Sequence, residues 1–463
     1  MPVAQSDIEH LLRRTEFVAR AGRVAELTAV ADIGAAVDNV MAVPANPGTP
    51  SLPSAENWQR GEDLTYYWFD RMGHDSARPM QEKMSFFWHG HFCSEFGKVG
   101  SAELMRAQIQ LFRTGGLGNL RTLAKTMSTQ VAMLRYLDNN QNRNTSPNQN
   151  FARELMELFL LGVGNYTEAD VEASAAAWTG HTDNWQTGAY EWRADWHDGL
   201  QKQFLGRTIN QTNTAAGLKL HGPETIDVML GTGVVPAGAK VTANRGRPTK
   251  EVAAEFVSRK LWTFFAGTEP PAAVINAMRD AAVANDFSIK PWLRVMLTRP
   301  EFYSAEVRRG LVRSPTDLMV AYLVATGLRA RDNVPLWIME SMGQRPLFPP
   351  NVSGWKHNGY FVNASAMSGR TSAARHIAWR TMRGYWDGDG KINLAGGSIS
   401  RSQIEGTYRD DPNGLVDRTL ALMSLTVTTE SRNALYAYAG GSEWWERNEL
   451  IALALMTPEM HVA

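Results

Sequence analysis

Apolar positions recur at three- and four-residue intervals along most of this chain, the spacing that gathers them on one face of an α-helix. Between Ile8 and Leu27 they predict one or two short amphipathic helices. From Trp58 to Phe96 the apolar positions are largely aromatic or methionine and predict two helices broken near Gly73 to Pro79. Ser101 to Phe112 predicts a helix stopped by Gly115 and Gly116, and Leu120 to Leu137 predicts another. The run DNNQNRNTSPNQN, Asp138 to Asn150, is rich in residues that prefer turns, and predicts a loop too polar for a core. Phe151 to Leu161 predicts a strongly apolar helix ending at Gly162. Thr167 to Trp178 predicts one that starts on a good N-cap with acids in its first turn.

The pattern changes between His181 and Gly206, where Trp185, Tyr190, Trp192 and Trp196 are interspersed with polar residues and turn formers, so a hairpin or two short strands are expected. Helical spacing resumes over Glu224 to Leu230, Lys250 to Phe265, Ala272 to Ala284, Lys290 to Leu297, Pro300 to Ser304 and Pro315 to Ala325. Arg345 to Phe361, dense in proline, glycine and aromatics, predicts an irregular loop pinned by its rings. The tail from Gly384 begins with WDGDGKINL and turns helical over Pro412 to Leu425 and Glu446 to Met456. The fold class expected is mainly α, a multi-helix globular architecture with a small β-containing excursion near residues 181–207. We divide it into a helical domain over 1–384, with its core at about 58–330, and a C-terminal helical extension over 385–463 packed on it.

Composition narrows the function. Lys plus Arg and Asp plus Glu both total 47, so no net field draws the chain to nucleic acid or an acidic membrane surface. Hydrophobic residues at 44% and charged residues at 20% are ordinary for a folded globular protein. The single cysteine, Cys93, excludes an intramolecular disulfide and any zinc site built on several thiolates. The longest apolar run, around Leu158 to Val163, is far too short to cross a bilayer, so a soluble protein without membrane insertion is expected. No export signal is visible at the N-terminus, and the chain as written reads as cytoplasmic, with export left open.

The candidate chemistry sits in polar clusters surrounded by apolar residues. His89 and His91 lie two positions apart in FFWHGHFCSE, and on a regular helix they point roughly 200° from each other. Both reach one ion only if the helix breaks at Gly90; otherwise they are packing residues. Glu154 and Glu157, three apart, share a face of the apolar helix and must be paired, protonated or bound to a cation. Arg106, Arg135 and Arg259 are the alternative partners in a purely structural salt bridge. His197 and Asp198 sit in a loop among tryptophans, with His181 able to reach the same space, and an ordinary polar turn is the alternative. Cys93 between Phe92 and Ser94 reads more readily as a core residue than as a nucleophile. GGLGNL is not a phosphate loop, DGDGK is not a calcium loop, and GxSxG, HExxH and CxxC motifs are absent.

If these clusters converge, His89, His91, Glu154 and Glu157 suit a divalent metal such as zinc, iron or manganese. Glu154, Glu157, His197 and Asp198 then become the catalytic candidates of a metal-dependent hydrolase or oxidoreductase. Two rival classes are a non-catalytic scaffold, with the Leu347 to Trp355 loop presenting aromatics to a partner, and a carbohydrate binder using Trp185, Trp192 and Trp196.

Taken together, HLLRRTEF, PMQEKMSFFWHGHF, NQNFARELMELFLLGVGNYTEADV, AWTGH, WHDGLQKQFLG, SRKLWTFF and LFPPNVSGW resemble, in order, the bacterial family called domain of unknown function 1800. The resemblance implies a predominantly helical fold and no assigned reaction. Members often accompany a second uncharacterised exported family, which implies a partner protein from it. The positions that match the most recognisable motifs are His89, His91, Asn150, Arg153, Glu154, Glu157, His197 and Asp198. The chain departs where His181 replaces the tryptophan common after TG, and the tail beyond about Gly384 has no recognised counterpart.

Overall fold

Two helices lie at the centre of the packing: Met80–His91 is buried at every position but Gly90, and Thr249–Ala266 buries its apolar residues while one polar face reaches the surface. The computed structural model describes residues 3–212, 214–443 and 449–463, without the side chains of Ala215 and Arg309. The first of these helices, the histidine helix, buries Gln81, Glu82, Lys83 and Ser85 along with its aromatics. Each buried polar group finds a partner on a neighbouring element. Gln81 donates to the Pro44 and Arg113 carbonyls at 2.9 and 3.0 Å, Glu82 pairs with Arg113, and Lys83 with Asp317. Apolar packing covers this helix, and these bonds fix its rotation and height.

The fold is mainly α, as the spacing predicts. Gln5–Thr15 and Ala21–Thr28 form the N-terminal pair; Asn57–Asp70 and Met80–His91 flank a π turn at Arg71–Asp75; and Ala102–Gly115 starts on Ser101, whose side chain accepts from Leu104 N–H. Glu168–Ala177 opens with a full capping box between Thr167 and Asp170. Among the described residues the sheets are three separate antiparallel hairpins. Two fall in the expected region, His181–Asp183 with Tyr190–Trp192 and Lys202–Phe204 with Arg207–Ile209. The third, Lys391–Leu394 with Gly397–Ser400, lies in the tail. Among the described residues no helix is long and apolar enough to cross a membrane.

Several expectations need correction. Leu120 to Leu137 is two helices, Leu120–Ser128 and Val131–Tyr136, because the hydroxyls of Thr126, Ser128 and Thr129 turn back onto carbonyls of the preceding turn where the helix stops. The Asn-rich loop is polar yet partly core: Asn139 and Asn142 are buried, donating to the Trp178 and Ala175 carbonyls at 3.3 and 2.9 Å. Ala364–Asp387, the longest helix, does not stand out in the sequence because arginines and small residues dilute its apolar stripe. The expected helix from Glu446 begins outside the described residues; Leu450–Leu455 is its described part. The tail shares the main hydrophobic core, which runs from Ile8 to Met460. The chain end pairs with the strand-like segment at Leu311 to Arg313, where Arg313 N–H donates to the His461 carbonyl at 2.9 Å and Ala463 N–H to the Leu311 carbonyl at 3.0 Å.

Candidate functional site

The apolar helix carrying the two glutamates changes pitch halfway. Gln149–Glu154 is α-helical and Leu155–Leu160 is a π turn, a form that recurs at functional sites. Its last carbonyls are capped by side chains from the two central helices. Leu158 C=O accepts from Lys260 Nζ at 2.8 Å, and Phe159 C=O accepts from His91 Nε2 at 2.8 Å. Where these three elements meet they leave a cleft of about 510 Å³. Phe86, Phe87 and His91 line it from one side, Phe256, Lys260 and Phe264 from another, and Glu157 and Leu158 from a third.

The Arg345 to Phe361 loop closes the remaining side and is pinned by its rings. Trp355 stacks on Phe86 with centroids 5.6 Å apart and meets the His89 ring edge-on at 5.3 Å. Gly354 is required by close approach: at φ +79° it lies against the histidine helix, and a Cβ there would stand 2.2 Å from the Gly90 carbonyl. Leu347 and Trp355 are buried, so these two apolar side chains of the loop pack inward.

The helix runs unbroken through Gly90 to His91, and the two histidines therefore serve different neighbours. His89 Nε2 accepts the Leu347 N–H at 3.1 Å, which places its proton on Nδ1, and burial holds its pKa down at about 3. It is a neutral strut between helix and loop. Replacing His89 with Leu leaves the buried Leu347 N–H without an acceptor. It is expected to cost about 1–3 kcal/mol in urea unfolding with helix content unchanged; an equally stable variant would show that the strut contributes nothing. His91 faces the cleft. Its Nε2–H is fixed by Phe159, its ring stacks on Phe87 at 5.7 Å, and Nδ1 is buried without a partner. Burial first, then the charge of Lys260, keeps its pKa well below 6.5.

The cleft is rich in cations. Lys260 is partly reached from the cleft, yet the protein packed around it lowers its pKa to about 8. Among the described residues it donates to the Leu158 carbonyl, at a helix C-terminus whose dipole favours a cation but does not neutralise it. Arg259 and Lys356 stand at the exposed rim. His357 is also open to solvent by area, but the mass of protein around it and then Lys260 hold its pKa at about 4. Glu157 is the carboxylate of the cleft, and it accepts the Tyr166 hydroxyl at 2.6 Å.

The other candidates lie apart from this cleft. Glu154 is half-buried, and burial followed by the charge of Glu157 raises its pKa. None of the three expected arginines pairs with either glutamate: Arg106 holds Glu103, Arg135 holds Asp183, and Arg259 lines the rim. His197 is locked between the Thr179 carbonyl at 2.8 Å and His221 Nδ1 at 2.9 Å, and Asp198 pairs with Lys202 at 3.0 Å. His181 is enclosed by Trp178 and Trp192 and bonded to the Tyr190 hydroxyl at 2.9 Å. Trp192 packs on His181 and His197, Trp196 carries Arg143 at 3.7 Å, and Trp185 is 80% exposed. Cys93 is core: it donates to the Gly90 carbonyl at 3.1 Å, and burial pushes its thiol up to about 12. Among the described residues no group of three or more His, Cys, Asp or Glu side chains stands close enough to hold a metal ion. Of the proposed metal set, His91 and Glu157 share the cleft, while His89 and Glu154 are not among its lining residues. Sequence pattern alone does not single out Lys260. Its signal is a lysine interrupting the apolar helical stripe Val257, Leu261, Phe264.

Residues 10–462 match the family described as Protein of unknown function (DUF1800), including the tail beyond Gly384 that motif resemblance left without a counterpart. No curated protein and no solved structure matches the chain. The match covers every element that builds the cleft, and the chain belongs to the DUF1800 family of proteins of unknown function.

Proposed function

We propose that the cleft around Lys260 is a ligand site for an organic anion with an aromatic or hydrocarbon body. The observation that carries this reading is the half-enclosed Lys260 amine, which among the described residues is bonded to the Leu158 carbonyl and lies over the Phe256 ring at 4.9 Å, with no carboxylate paired to it. A cation in such surroundings favours an anionic partner. Arg259 and Lys356 add charge of the same sign at the rim, and Phe86, Phe87, Phe256 and Phe264 supply faces for an apolar body. With its pKa near 8, the amine also exchanges a proton close to neutral pH, which suits acid–base chemistry on a bound ligand.

Calorimetric titration with 1-naphthalenesulfonate tests the reading. Lys260→Met is expected to weaken binding about 10-fold or more, while binding of uncharged naphthalene is unchanged. Affinity should fall as pH rises through about 8, where Lys260 loses its proton. Equal affinity in the wild type and the variant, with both folded, counts against the site. A second reading, a divalent-metal enzyme, is favoured by His91, whose Nε2–H is anchored to a carbonyl and whose Nδ1 is unpartnered, beside Glu157 in the same cleft. Elemental analysis of protein purified without chelator, against His91→Ala, distinguishes the two.

A further inference from the structure

On the helix Asn57–Asp70 a spacing of four residues puts Trp58, Glu62 and Tyr66 on one face. A second wall comes from far along the chain. There Asp332 turns the backbone at φ +65°, a left-handed value that aspartate tolerates, and Trp337 follows in the first turn of the helix Leu336–Ser341. These five residues line one open cleft of about 330 Å³, which shares no lining residue with the cleft around Lys260. Water reaches two of its rings, since Trp58 is 50% exposed and Trp337 71% exposed. The Trp58 ring is held in place by Phe96 and Phe348, with centroids 5.9 and 5.6 Å away.

The charges around these rings set the sign of what fits. Both nearby arginines are already paired, Arg331 with Asp63 and Arg345 with Glu340 at 3.3 Å. His376 also lines the cleft, but burial and then the charge of Arg380 hold its pKa below 6.5, so the ring is neutral at neutral pH. Among the described residues Glu62 and Asp332 form no ion pair. They lie on opposite walls with Tyr66 in reach of both: after burial, these two carboxylates are what raise the pKa of its hydroxyl. Carboxylates attract a cation through its charge, and aromatic faces attract it through their quadrupole. A small metal ion would seek more oxygen ligands than this cleft offers, whereas an organic cation uses the rings as well.

We propose that this second cleft binds a small organic cation of the quaternary or methylated ammonium class, with its alkyl groups against Trp58, Trp337 and Tyr66 and its charge toward Glu62 and Asp332. The volume suits a compact head group. One such arrangement is already present at the edge of the cleft, where the Arg345 guanidinium lies 5.1 Å from the Trp58 centroid. The site is independent of the anion site around Lys260, being opposite in charge and built from other residues.

Calorimetric titration of the full chain with choline, and with its uncharged analogue in which a tert-butyl group replaces trimethylammonium, separates charge from shape. Choline is expected to bind saturably at millimolar concentrations, and the analogue about 10-fold or more weakly. Trp337→Ala and Glu62→Gln should each weaken choline binding about 5-fold or more. Asp332→Asn should do the same, and asparagine keeps the left-handed turn. Circular dichroism checks that each variant is folded; if one is not, the comparison of choline with its analogue in the wild type still decides. Absence of choline binding overturns the proposal, as does equal affinity for the two compounds. So does choline binding that folded Trp337→Ala and Glu62→Gln leave unchanged, or a cleft that takes a neutral oligosaccharide and not choline.

Discussion

Acidification to about pH 5 is expected to unfold this protein. His10, His89 and His181 are 0%, 0% and 1% exposed, and burial holds each pKa down at about 3 from the ordinary 6.5, with Arg14 adding to the effect at His10 and His197 at His181. The folded values lie below the unfolded ones, so between roughly pH 6.5 and 3 the unfolded chain binds more protons than the fold does. The contribution of these rings is therefore complete above the unfolded value and drains away as pH falls through that window. At about pH 5 each ring favours the unfolded chain by about 2 kcal/mol, roughly 6 kcal/mol for the three, against a total stability on the order of 5–15 kcal/mol. His91 acts in the same direction. Tryptophan fluorescence and near-UV circular dichroism over a pH series should place the midpoint between about pH 4 and 6. Stability that stays level down to about pH 4.5 would show that these rings are not held neutral in the interior.

Removing the charge of Glu82 is the substitution with the largest expected cost. Its side chain and that of Arg113 are both 0% exposed. Arg113 Nε reaches the two carboxylate oxygens at 3.1 and 3.0 Å and Nη2 reaches one of them at 2.9 Å, while Arg113 also donates to the Pro47 and Gly48 carbonyls. The pair joins the histidine helix, Ala102–Gly115 and the segment at Pro47 and Gly48 at one point. Glu82→Ala strands a buried guanidinium, and about 3–5 kcal/mol is expected in urea unfolding. The double variant Glu82→Leu, Arg113→Met should recover part of that loss, because it removes both charges from the interior. A single-variant cost below about 1 kcal/mol would mean that the pair is solvated.

The range of each interaction decides whether the sequence shows it or hides it. Helical spacing and caps are local, so the N-cap at Thr167, the stop at Gly115 and the β-containing excursion after His181 are legible in the chain itself, though not that the excursion holds two hairpins. The opposed directions of His89 and His91 are legible too, since they come from helix geometry once Gly90 is helical. The cleft is not. It depends on Lys260 and Trp355 arriving beside His91 from positions far away in sequence, and nothing in their local pattern states that meeting. Asn142 shows the converse: its neighbours read as a surface loop, yet bonds to Asn139 and Asn148 within the loop and to the Ala175 carbonyl of another element satisfy its buried amide.

The π turn at Leu155–Leu160 gives the chain a length adjustment as well as a shape. A wider turn accommodates more chain per revolution than an α turn, so shortening this segment by one residue need not break the helix. Loss of the surplus residue would let the turn close as an α turn, with the change confined to the turn itself. Such a deletion would move the carbonyls of Leu158 and Phe159 relative to Lys260 and His91 together. The segment works as a register key: its surplus residue sets where those two carbonyls meet the central helices.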